Sequence, residues 1–115
     1  MTMRLGIATS IPWLPGKSQE ECFHEALEDV EVAEALGFDC VWYTEHHFAQ
    51  HGLNSGLTAW LAAVAMRTKR IRIGSTVFVL PFWDPIRLAE DVAMVDLLSD
   101  GRVEFGVGTG YRLDE

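Results

Sequence analysis

Hydrophobic and polar positions along the chain follow two alternating periods. Arg4 to Ala8 reads as a short strand, and the loop after it carries Pro12, Pro15 and Gly16. From Ser18 the period changes. Phe23, Ala26, Leu27, Val30, Ala33 and Leu36 recur at i+3 and i+4, the spacing of one helical stripe, while Glu20, Glu25, Glu28, Asp29 and Glu31 fall mostly off it. Ser18 and Glu21 form a capping box, in which each side chain satisfies the other's free backbone N–H, and Gly37 stands at the C′ position that stops the helix. Cys40 to Thr44, rich in β-branched and aromatic residues, predicts a second strand running into Glu45-His46-His47. A loop with Gly52, Asn54 and Gly56 precedes a second helix over Leu57 to Arg67. This helix is apolar nearly all round and must be covered on more than one side, with a partner subunit as one source of cover. Ile71 to Leu80 is read as one long and mainly apolar run, as expected of a parallel strand buried on both faces, and Pro81 ends it. Asp84 as N-cap and Pro85 at the first helical position open a third helix that runs to about Leu98 and ends at Ser99-Asp100-Gly101. Val103 to Val107 predicts a fourth strand, closing on Gly106, Gly108 and Gly110.

The order is β-α-β-α-β-α-β with regular spacing, the βαβ repeat of an α/β protein with a parallel sheet. An open doubly wound sheet and an eight-stranded barrel both use it. Four strands make half of a (β/α)8 TIM barrel, whose whole takes about 250 residues. The sequence stops in the loop after the fourth strand. It is therefore expected to be a single domain over residues 1–115, a half barrel from a longer protein.

Composition narrows the class. With 49% hydrophobic and 23% charged residues the chain reads as one soluble globular domain. No apolar run approaches the ~20 residues of a membrane-spanning helix. The start of the chain lacks the apolar core of a signal peptide, so a cytoplasmic location is expected. A net charge of −8 opposes binding to nucleic acid. The one basic cluster, Arg67, Lys69, Arg70 and Arg72, reads as a solvated connection between a helix and a strand. Cys22 and Cys40 have no metal or redox spacing and are expected to be reduced thiols.

Candidate chemistry concentrates where the second strand gives way to a loop, because α/β proteins place reactive groups at strand ends. There Glu45, His46 and His47 stand side by side. The plain alternative is that they cap the strand and meet solvent. Adjacent histidines on a strand point to opposite faces, so His46 and His47 do not readily share a metal, and no metal site is assigned. The Gly106, Gly108, Gly110 repeat is a weak nucleotide signal, since no helix follows to face a phosphate. Trp42, Tyr43, Trp60, Phe78, Phe82 and Trp83 read as core and strand-end packing, His24 and His51 as surface residues, and Glu90 and Asp91 as complements to a helix dipole.

Several blocks carry a resemblance: Glu45-His46-His47-Phe48 with Gly52-Leu53; Arg67-Thr68-Lys69; Gly74 and Val79-Leu80-Pro81; Asp84 to Asp91; Leu97 to Arg102; and Phe105 to Tyr111. In this order they resemble the bacterial luciferase family of flavin-dependent monooxygenases, over nearly all of the chain. The resemblance implies a (β/α)8 barrel of which this chain is the first four strands. It implies reduced FMN, oxygen and a small organic substrate. A separate flavin reductase would fit the absence of a convincing nicotinamide motif, and a homodimer would form through the second and third helices. His46 matches the histidine beside the flavin that acts as a general acid/base, a role suited to imidazole near neutral pH. Thr76 and Val77 match the point where members carry a non-prolyl cis peptide against the flavin ring. Gly108 matches a position facing the reactive edge of the isoalloxazine. Thr109 stands where luciferase has an arginine for the flavin phosphate; threonine supplies one hydrogen bond and no charge. Two alternatives stay open: an oxidoreductase using the deazaflavin coenzyme, which transfers hydride without activating oxygen, and a non-catalytic, truncated half-barrel or flavin-binding module.

Overall fold

The computed structural model describes residues 3–115; Met1 and Thr2, the first positions of the expected domain, lie outside it. The chain runs β1 (Gly6–Thr9), α1 (Gln19–Ala35), β2 (Cys40–Tyr43), α2 (Leu57–Arg67), β3 (Arg72–Ser75), β4 (Phe78–Val79), a 3-10 turn (Leu80–Phe82), α3 (Pro85–Leu98), β5 (Val103–Glu104) and β6 (Val107–Gly108). β1, β2, β3 and β5 form one parallel sheet in that order, and β4 pairs with β6 in a short second ladder, also parallel. Successive parallel strands, each led back by a helix, build part of the circumference of a β/α barrel.

Two expected strands are each split in two. The apolar run from Ile71 to Leu80 breaks after Ser75, where the Thr76–Val77 peptide is cis, and its last residues form the 3-10 turn. Pairing changes at the break. Thr76 N–H still donates to Tyr43 O at 2.8 Å, but Phe78 N–H turns to Gly106 O at 2.9 Å. The Val103–Val107 stretch splits in step into β5 and β6. Between them the Ser75 hydroxyl donates to Gly106 O at 2.8 Å and accepts from Gly106 N–H at 2.9 Å, standing in for a ladder rung. A Cβ on Gly106 would lie 2.1 Å from Ser75 O, and one on Gly108 would lie 2.8 Å from Val77 Cγ2. The glycine repeat thus lets two strands approach closely.

The helices begin where the sequence places them. At α1 the Glu21 N–H donates to Ser18 Oγ at 3.1 Å and the Ser18 N–H to Glu21 Oε2 at 2.7 Å, completing the capping box. Asp84 Oδ1 accepts from Ile86 and Arg87 N–H at 3.0 Å each. Val30 and Ala33 bury the stripe of α1, but Leu36, past the last turn, is exposed. α2 is covered on more than one side, as its composition requires. Within the chain Trp60, Leu61, Val64 and Ala65 are buried, the Trp60 ring packs at a tilt against Phe23 of α1 and edge-on against Tyr43 of β2, and α3 packs alongside. Exposure remains at Met66 and, on α3, at Ile86, Met94, Leu97 and Leu98.

Strand alternation sends Val41, Tyr43, Ile73 and Ser75 into the buried layer. Trp42 lies instead across its neighbour in register, Gly74, where a Cβ would fall 2.6 Å from the indole. Further along, Arg72 pairs with Glu104.

The basic cluster is bound into the fold. Arg67 Nε reaches Glu31 at 2.5 Å, and Arg70 Nη2 donates to Glu34 O and Phe38 O at 2.9 Å each. The connection from α2 to β3 has its free N–H groups answered by one carboxylate, Glu34, which accepts from Lys69, Arg70 and Ile71 at 2.6 to 2.9 Å. Its carbonyls are answered by one guanidinium. Buried Arg102 donates to Ala65 O, Thr68 O, Thr68 Oγ1, Ile71 O and Ser99 O, which uses every N–H it has.

Burial disfavours a charged Glu34, but the N–H groups of Ile71, Arg70 and Lys69, helped by the charge of Arg102, hold its carboxyl below the usual range. A depressed carboxyl stabilises the fold above its unfolded pKa of 4.5 and loses that contribution as pH falls through the folded value. The urea midpoint gap between wild type and Glu34→Gln should therefore close on acidification below 4.5; a gap that stays constant would contradict this. Arg102→Met strands four carbonyls, each worth ~1–3 kcal/mol when buried and unpaired, and should cost about 3 kcal/mol or more in urea unfolding. A loss below ~1 kcal/mol would show that the carbonyls find other partners.

Candidate functional site

The site forms where the carboxyl ends of β2, β4 and β6 meet. Past Tyr43 the chain leaves the sheet, and its next polar groups are fixed by buried bonds. The Thr44 N–H donates to Thr9 O at 3.1 Å, and the His46 N–H to Asn54 O at 3.1 Å. Glu45 does not meet solvent as the plain alternative would have it. It is 3% exposed, and its carboxylate accepts from Val79 N–H at 2.9 Å and from Trp83 Nε1 at 2.9 Å. His47 Nε2 lies 2.7 Å from the same carboxylate. Glu45 thus ties the end of β2 to β4 and to the entrance of α3.

The two imidazoles part in the loop that follows β2. His47 goes with Glu45 and sets its ring edge-on to Phe82, 4.7 Å between centroids. His46 takes the other side, is 8% exposed, and presses its ring against the backbone of Gly52, where a Cβ would come 2.4 Å from its Cδ2. His46 Nδ1 lies 3.0 Å from Glu115 Oε1, and the ring of His51 stands edge-on at 4.5 Å.

His46 walls two hollows. One, of about 430 Å³, runs between the loops after β1 and β2 past Trp13, Phe48, Gly52 and Leu53. The other, of about 130 Å³, lies over the strand ends and brings together Thr44, Glu45, His46, Thr76, Val77, Val79, Phe82, Thr109, Gly110, Tyr111, Arg112 and Glu115. Of the residues singled out in the sequence, His46, Thr76, Val77 and Thr109 share this second cavity, with the cis peptide in its wall; Gly108 is not in the lining but packs against Val77. Three lining residues were missed. Thr44 Oγ1 is buried with no partner, yet Thr44 reads only as the last strand position. Arg112 and Glu115 come from a tail without periodicity.

His46, His51 and Glu115 present ligand atoms within 4.8 Å of one another, the one such group among the described residues. The same Glu115 oxygen, however, lies 3.2 Å from Arg112 Nε. A guanidinium already occupies the carboxylate's cation-facing side, so the group reads as a hydrogen-bonded charge cluster.

Parallel strands alternating with helices in this order define part of a β/α barrel. The sequence profile of the luciferase-like monooxygenases matches residues 3–115, and the chain belongs to that family. It is 33% identical over 94 residues to the oxygenase component of the flavin-dependent trigonelline monooxygenase of Acinetobacter baylyi, covering 82% of this chain and 26% of that protein. Its fold superimposes on the monooxygenase RslO1 of Streptomyces bottropensis with a TM-score of 0.89 at 35% identity, covering 97% of this chain and 35% of that one. It superimposes likewise on the oxygenating constituent of the 3,6-diketocamphane monooxygenase of Pseudomonas putida, a type II Baeyer-Villiger monooxygenase in complex with FMN. That likeness has a TM-score of 0.90 at 24% identity and covers 98% of this chain and 31% of that one. The chain therefore spans about a quarter to a third of the length of these relatives.

The clamp at Glu45 generates a prediction. Glu45→Gln removes one of the acceptor oxygens and the charge that holds three N–H donors, worth roughly 1.5–3 kcal/mol per charged bond. Amide exchange at Val79 should accelerate at least tenfold. Unchanged protection at Val79 would mean that β4 is held elsewhere.

Proposed function

We propose that the chain is the first half barrel of a flavin-dependent monooxygenase, and that its strand-end cavity is one wall of the flavin site. The observation that carries this reading is the meeting of His46, Thr76, Val77 and the unpartnered Thr44 hydroxyl around one cavity. The residues suit a flavin. Gly110 adds no side chain to the lining, and the buried Thr44 hydroxyl lacks the partner that a ring heteroatom could supply. Thr109 offers a hydroxyl, and Arg112 is the cation nearest at hand, although it is paired with Asp114 and Glu115. Bound in its reduced form, the flavin supplies the electrons with which oxygen is activated.

The protein's part is position and proton handling. Thr76 and Val77 line the cavity beside His46, and His46 exchanges a proton at the strand ends. Support for flavin, and for its delivery by a separate reductase, comes from the trigonelline relative, an oxygenase component. The substrate is a small organic molecule whose identity lies with loops outside these residues. The homodimer surface is assigned to the exposed apolar residues of α2 and α3, Met66, Met94 and Leu97.

The cavity's 130 Å³ is well below the ~300–1,000 Å³ of sites that bury a ligand of flavin size. Fluorescence titration of the 115-residue chain should accordingly show weak FMN binding or none, and tight binding would refute the half-barrel reading. In the barrel-complete parent, His46→Ala should lower single-turnover oxidation by roughly 10²–10⁴ while changing FMN affinity far less. Unchanged turnover would remove His46 from proton transfer, and turnover only with the deazaflavin coenzyme would replace FMN as cofactor. Sedimentation of the same parent should give a dimer that Met94→Glu dissociates; a wild-type monomer at micromolar concentration would reject the α2–α3 surface.

A further inference from the structure

We infer that Glu115 is a positioning residue for His46: its carboxylate keeps the imidazole proton on Nδ1 and leaves Nε2 as the nitrogen that exchanges protons. The inference rests on the acid/base reading of His46 given above, which it deepens.

The argument is one of hydrogen-bond capacity. A neutral imidazole has one N–H and one bare nitrogen, while an ionised carboxylate only accepts. Between His46 Nδ1 and Glu115 Oε1, 3.0 Å apart, the hydrogen must therefore sit on Nδ1. No other side-chain hydrogen bond reaches His46 among the described residues, so Nε2 keeps its lone pair. When Nε2 takes up a proton, the positive charge that forms is already hydrogen-bonded to an anion. Releasing it restores the same tautomer.

Glu115 is built to hold that place. Its side chain is only 7% exposed, although it lies in a tail segment. Its Oε1 is also 3.2 Å from Arg112 Nε, and Arg112 is braced in turn by Asp114 at 2.6 Å. His51 Nε2 stands 3.8 Å from the same oxygen, beyond hydrogen-bond reach, and its ring closes one edge of His46 while Gly52 closes another. The His46 ring is thus confined on two edges by packing, and the carboxylate decides which nitrogen carries the proton. Glu45, the other buried carboxylate of the cavity, is engaged by Val79, Trp83 and His47.

The tautomer can be read directly in the 115-residue chain without any flavin, from long-range ¹H–¹⁵N correlations of the histidine rings at a pH where His46 is neutral. Wild type should show the Nδ1–H form. Glu115→Ala should move His46 toward the Nε2–H form that free histidine prefers, and Glu115→Gln, which keeps an acceptor oxygen, should restore much of the Nδ1–H signal. His51→Ala should leave the tautomer unchanged. An Nε2–H form in wild type, or an Nδ1–H form that survives Glu115→Ala, would overturn the assignment. In the barrel-complete parent, Glu115→Ala should lower kcat by roughly 10- to 100-fold, the usual effect of losing a carboxylate that orients a histidine, with KM for flavin little changed. A loss confined to KM would make Glu115 a binding group and reject the positioning role. The two readings fail separately. If His46→Ala leaves turnover intact, the acid/base role falls whatever the tautomer; if the tautomer ignores Glu115 while His46→Ala abolishes turnover, only the present inference falls.

Discussion

The fold depends on how the turn from α2 into β3 satisfies its backbone. A parallel sheet forces every helix to hand its chain back at the amino ends of the strands, and each such return buries peptide groups that water would otherwise solvate. Here two charged side chains from other elements do nearly all of that work. Glu34, at the end of α1, takes the N–H groups of residues 69 to 71; Arg102, after α3, takes the carbonyls of residues 65, 68 and 71. Opposite charges on either side of one turn lock three consecutive βα units into register. The sheet can then leave its far ends free to diverge.

They do diverge, and the candidate site is the result. Once Ser75 replaces a ladder rung with its hydroxyl, β3 and β5 stop pairing and their continuations meet as β4 and β6. The space opened between this pair and the end of β2 is the cavity. Glu45 keeps the opening from closing or drifting by gripping β4 from below. The charged bonds that close the α2–β3 turn thus lie at the amino ends of the strands and the candidate site at the carboxyl ends, the division that barrel proteins make.

Much of the frame was legible in the sequence. Ser18 with Glu21, Asp84 with Pro85, and Gly37 mark helix ends through chemistry local to a few residues, and α2 and α3 fall at the expected bounds. What was not legible depends on pairing between distant segments. Ile71 to Leu80 carries Gly74, Ser75 and Thr76 at its middle, where the break falls, but small and polar residues inside a strand do not by themselves show that its pairing changes partner; the resemblance pointed to Thr76 and Val77. The all-round apolar surface of α2 left its cover open, with a partner subunit as one source, because nothing local tells that Phe23 and Tyr43 will reach Trp60. Within the site, His46 was named by its neighbours in the chain. Glu115, 69 residues away, and the Thr44 hydroxyl become visible only once the loops are folded together.

The indole of Trp42 resting on Gly74 carries a consequence for how this sequence can change over time. No side chain fits at position 74 while the indole is there, and a smaller residue at position 42 leaves a void over a bare strand. Either single change costs packing, so the two positions are expected to drift only as a pair, large against small or small against large. Homologues in which the bulk has moved to the β3 position would record that exchange. The inner face of the barrel would then keep its volume while its side chains trade strands, a historical ratchet set by one ring and one missing carbon.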